Sequence, residues 1–142
     1  MSKSDTFEND FLALIFNGSA IADLAENDTT SPLTNLYLAL HTADPTDAGV
    51  QTANECAYTS YARVAVARTS GGFTVAGNQV TLTTAIDFPA ATGGSETATH
   101  FSVGVAASGA TKILYHGTVT PSIAISSGVT PRLGTGTTIT ED

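Results

Sequence analysis

Leu36-Tyr37-Leu38-Ala39-Leu40-His41, followed by Thr42-Ala43-Asp44-Pro45-Thr46-Asp47-Ala48-Gly49, decides the class of fold. Leucine at every second position lies on one face of an extended chain, so the stretch reads as a half-buried strand with Tyr37, Ala39 and His41 on the other face. The turn residues then close it: Pro presets φ, and Asp side chains bond the backbone just ahead of them. The same alternation and punctuation recur downstream. They predict strands over 61–68, 73–75, 79–83, 85–88, 100–106, 112–119, 122–126 and 137–140, with Gly77-Asn78 and Ser108-Gly109 as hairpin turns. Helix never alternates with strand, which excludes a parallel α/β sheet. The expected fold is mainly β, an antiparallel sandwich or jelly-roll-like barrel.

Upstream the period is different. Phe7, Phe11, Leu14 and Ile15 share one helical face, Asp5 and Glu8 form a plausible capping pair, and Asn17-Gly18 supplies a stop. A shorter helix is expected over 19–25, with Asp23, Glu26 and Asp28 toward solvent. The organisation expected is one domain over 1–142, with a helical N-terminal segment at 1–28 and a β sandwich at 33–142.

Composition excludes several classes of function. Five Lys and Arg stand against thirteen Asp and Glu, a net charge of −8 in 142 residues. Phosphate binding needs clustered cations, so a nucleic-acid partner is not expected. Cys56 is the only cysteine, which leaves no intrachain disulfide and no cysteine-based zinc site. The longest apolar run, 11–16, falls far short of the roughly 20 residues of a membrane helix. The polar, acidic start lacks the pattern of a secretory leader, so synthesis in a cytoplasm is expected.

Nothing in the motifs suggests catalysis. His41, His100 and His116 lie far apart in the chain, without the short spacing of a metal motif, and read as strand histidines. Asp44 and Asp47 flank a proline in a turn and lack the further oxygen ligands of a calcium loop. No nucleophile elbow or phosphate-binding glycine pattern is present. Neither an enzyme nor a cofactor is expected.

The surface is the informative anomaly. Thr, Ser, Ala and Asn cover it, Lys is confined to Lys3 and Lys112, and only Asp87 and Glu96 are acidic between Arg63 and Thr140. Charged residues protect sheet edges, and interfaces are depleted in Lys, Asp and Glu. A homo-oligomer follows, a dimer before a trimer. Arg63, Arg68 and Arg132 are expected to pair with carboxylates, the alternative being that Arg63 and Arg68 merely end the polar face of a strand. Phe7, Phe11, Leu12 and Phe16 either plug the core or leave an apolar patch for a partner. These seven residues are the candidate interface.

The stretch 33–45, then 55–58 and Ser60-Tyr61-Ala62-Arg63-Val64-Ala65-Val66, resembles a widespread family of small virion proteins of tailed bacteriophages. Ala98-Thr99-His100-Phe101-Ser102-Val103-Gly104 and Leu114-Tyr115-His116-Gly117-Thr118 fit its later part, and Cys56 is the one departure. The resemblance spans about residues 5–142 and implies a structural protein of the virion with no catalytic residue. Two roles suit it. A capsid cement or decoration protein binds the major capsid protein on the outer shell, and a tail or tail-fibre accessory meets tail proteins or the host surface. Size, the lack of a fibrous shaft and the repulsion between an acidic protein and packaged DNA favour cement.

Overall fold

A computed structural model of the chain describes residues 4–21, 32–47 and 49–141. These form two compact units, each assembled from separated stretches. One contains residues up to 35, 66–84 and 134 onward; the other contains 36–65 and 85–133.

The first unit holds the helix α1 (Asp5–Asn17) and a sheet of order β3-β4-β9, formed by β3 (Phe73–Ala76), β4 (Gln79–Leu82) and β9 (Thr138–Thr140). Gly18 ends α1 in the left-handed conformation, φ 66°, its N–H bonded to the Ala13 carbonyl. The cap at the other end is Ser4, one residue earlier than the Asp5–Glu8 pair suggests. Its hydroxyl accepts from the Phe7 N–H and its carbonyl from the Glu8 N–H. Leu12 and Phe16 turn inward, and Phe16 meets Phe73 edge to face at 4.9 Å. Gly77-Asn78 forms the two-residue β3–β4 hairpin that the sequence predicts. In the expected second helix, Ser19 and Ala20 are irregular and Ile21 is a bridge residue; 22–25 lie outside the described residues.

The second unit is built on β1 (Asn35–His41), β6 (Ser95–Gly104) and β7 (Ile113–Ser126), all antiparallel. β2 (Val64–Ala67), of which Val64 and Ala65 belong to this unit, precedes β1 in the sheet order β2-β1-β6-β7, and β5 (Ile86–Asp87) pairs with β8 (Arg132–Leu133). The fold is therefore mainly β and antiparallel with a short helix, as expected. It does not close into a barrel: β2 and β7 are edges of the four-stranded sheet. The two strands expected at 112–119 and 122–126 are one. Between Ala98↔Ile123 and His100↔Thr118 the register shifts, and Pro121, which lacks the ladder donor, falls inside that bulge. This edge carries no charge, as the sequence suggests, but a proline and a bulge guard it instead.

A larger departure concerns β1. It is not half-buried: Ala39 and His41, on the face expected to be wet, have no exposure. The turn-rich segment after His41 does more than end the strand. Residues 42–47 and 49–54 belong to an Ω-loop, closed by the Thr42 N–H donating to the Asn54 carbonyl at 2.8 Å, which folds back over that face.

Candidate functional site

The register of the sheet gathers polar residues that are distant in sequence. Cross-strand neighbours share a face, so His41 lies beside His100, Ala39 beside Ser102, and Ser102 beside His116. The three histidines thus share one face of β1-β6-β7, beneath the loop.

Gln51 enters this face from the loop and has no exposure. Its amide nitrogen donates to the Tyr37 carbonyl and to Ser102 Oγ, and its Oε1 accepts from Arg63 and Thr111. Gly104 makes the room. A Cβ there would stand 2.1 Å from the Gln51 side chain. His41 Nδ1 lies 2.8 Å from the Ala53 carbonyl, so that nitrogen carries the proton, and Nε2 accepts from Ser102 Oγ at 2.8 Å. Donation thus runs from Gln51 to Ser102, from Ser102 to His41, and from His41 to the Ala53 carbonyl. Burial holds the His41 ring below its ordinary titration range.

Arg63 ties this face to the ends of the loops. Its Nε and Nη2 grip the two Glu55 oxygens at 2.7 and 2.8 Å. The remaining donors reach Gln51 Oε1, Thr111 Oγ1 and the Ala106 and Gly109 carbonyls, the last two in the β6–β7 turn. Glu55 raises the Arg63 pKa further and also accepts from the Tyr61 hydroxyl, which itself accepts from the Leu40 N–H. Nearby, Glu96 accepts from the Ala57 and Tyr58 amides, and burial with Glu96 and Glu55 pushes the Cys56 thiol up to about 12. No buried side-chain nitrogen or oxygen among the described residues lacks a partner.

Ser102 and His41 have the 2.8 Å contact of a nucleophile and its base, but both have zero exposure, so no substrate atom reaches Ser102 Oγ. Among the described residues no three ligating side chains could hold a metal. The arrangement can do one thing plainly: it fixes the Ω-loop and the β6–β7 turn against the sheet. Outside it, His116 Nδ1 and Nε2 stand 3.2 and 3.0 Å from Asp44 and Asp47, clipping the tip of the loop to β7.

The candidate interface residues are scattered. Leu12 and Phe16 are buried, Phe11 is half-buried, and Phe7 is 37% exposed with its ring 6.4 Å from that of Phe11. Arg68 donates to the Leu14 and Ile15 carbonyls in the last turn of α1. That turn has no basic residue of its own. Arg132 is exposed and bidentate with Asp87, whose carboxyl it holds below the usual range. Arg63 is the member at the polar face; Gln51, Glu55, Tyr61, Ser102 and Thr111 carry no local signal that would have found them.

A family model described as podophage GP4 fiber I protein gp80 matches residues 2–140. No curated protein matches the chain.

Proposed function

The chain belongs to the podophage GP4 fiber I protein gp80 family of virion proteins, and we propose that it serves as a non-enzymatic component of the tail fibre that takes part in host attachment. The observation that carries this is the extent of the match, residues 2–140, which takes in the helix and every strand described. It favours the fibre role over capsid cement, and tail proteins or the host surface over the major capsid protein. Size and acidity do not separate the two. A net charge of −8 keeps a protein away from packaged DNA equally well on a shell or on a tail. The buried Ser102–His41 pair supports the non-enzymatic part, because its hydrogen bonds are spent on holding loops. Of the candidate interface residues, Phe7 and Arg132 have the exposure that a partner contact requires.

Electron microscopy of particles labelled with a gold-conjugated antibody to this protein tests the reading. Label on the tail fibres is expected; label distributed over the head would return the protein to the shell.

A further inference from the structure

We propose that the Ω-loop described over residues 42–47 and 49–54 is a lid, held on the polar face of the sheet by a neutral His41 and released when His41 is protonated. The hydrogen bonds and the burial together suit a neutral ring. One nitrogen must donate to the Ala53 carbonyl while the other accepts from Ser102, whose oxygen already receives the Gln51 amide. A second ring proton would turn Nε2 from acceptor to donor and leave the Ser102 hydroxyl proton without its acceptor. It would also place a charge where no water reaches.

The charged groups around His41 are known from each neighbouring element. Glu55, after the loop, favours the charged ring; Arg63, before β2, and His100, directly across on β6, oppose it, and burial outweighs them all. His116 on β7 holds Asp44 and Asp47 at the loop tip, on the same face but by contacts of the opposite kind, since its two nitrogens both face carboxylates. The lid is thus clipped at its base by a ring whose buried hydrogen bonds suit its neutral form.

The sign follows. With the His41 pKa lowered in the closed state, the closed lid binds fewer protons than the open one. Closure is therefore fully favoured above the ordinary histidine range and weakens as pH falls through it. Between the two pKa values each pH unit of acidification weakens closure by up to about tenfold.

Amide hydrogen exchange on the intact chain reads this directly. The Thr42 and Gln51 amides, bonded to the Asn54 and Thr111 carbonyls, report on the lid, and those of Leu38 and Val103 report on the sheet. Protection of the first pair is expected to fall on acidification while the second pair holds. His41→Gln, which stays neutral, should abolish the fall, whereas His100→Gln and His116→Gln should retain it. Unchanged lid protection at pH 5 overturns the proposal, as does parallel loss across the sheet or acid opening in His41→Gln. Should His41→Gln not fold, the ring signals of His41 in the native chain decide: opening that precedes its protonation refutes the lid.

Discussion

Removing the Arg63 guanidinium would leave the Glu55 carboxylate inside the fold without its counter-charge. Breaking a buried pair in this way costs about 3–5 kcal/mol. Arg63→Ala is therefore expected to lose that much in urea unfolding, while Lys112→Ala, on an exposed side chain, stays within about 0.5 kcal/mol of the parent. Arg63→Lys should recover only part, because one ammonium cannot reach Glu55, Gln51, Ala106 and Gly109 together. Equal, small losses in both alanine variants would show that the pair does not hold the loops. Gly104 gives a second test of the same site. A methyl group there collides with the Gln51 amide, so Gly104→Ala must expel Gln51 or shift the strand, at about 1–3 kcal/mol. A neutral result in the same denaturation assay would mean that Gln51 is not seated as described. Little of this was legible in the sequence. Arg63 stood out as a rare cation, but Gln51 and Ser102 are ordinary polar residues, and their role comes from contacts between positions 51 residues apart.

Elements were more legible where a local pattern sufficed. The spacing of Phe7, Phe11, Leu14 and Ile15 and the glycine at 18 locate α1, because helix periodicity and a left-handed C′ residue are both local properties. Which apolar residues the helix buries was not legible. Leu12 and Phe16, beside the main stripe, are the fully buried ones, since β3 and β4 set the docking face. Phe16→Ala is accordingly expected to cost about 3–5 kcal/mol and Phe7→Ala under about 1 kcal/mol, compared by thermal unfolding. The reverse order would mean that the N-terminal half of α1, and not its C-terminal half, anchors the first unit. The strands show the same division. β1 was evident from its leucines, but its second face was misread because the covering loop is a tertiary event. β6 starts earlier than the alternation predicts and β7 runs unbroken through the expected gap, since Ser95, Thr97 and Thr120 are small polar residues that leave no hydrophobic signature.

At the scale of the whole molecule, composition argued against a nucleic-acid partner and pointed to a covered surface, and the resemblance in the stretches 33–45 and 60–66 pointed to a phage virion. Neither could choose between shell and tail, because both positions suit a small, acidic, lysine-poor β protein; the family match favours the fibre. Symmetry makes that choice measurable, since shells and tails repeat their components by different closed operators and so in very different numbers. The most direct test is therefore the number of copies of this protein per purified particle, counted by quantitative mass spectrometry against the major capsid protein. A fibre component is expected at a small multiple of the tail's rotational order, in the range of a few to some dozens. A count in the hundreds, scaling with the capsid lattice, would contradict the account and make the protein part of the shell.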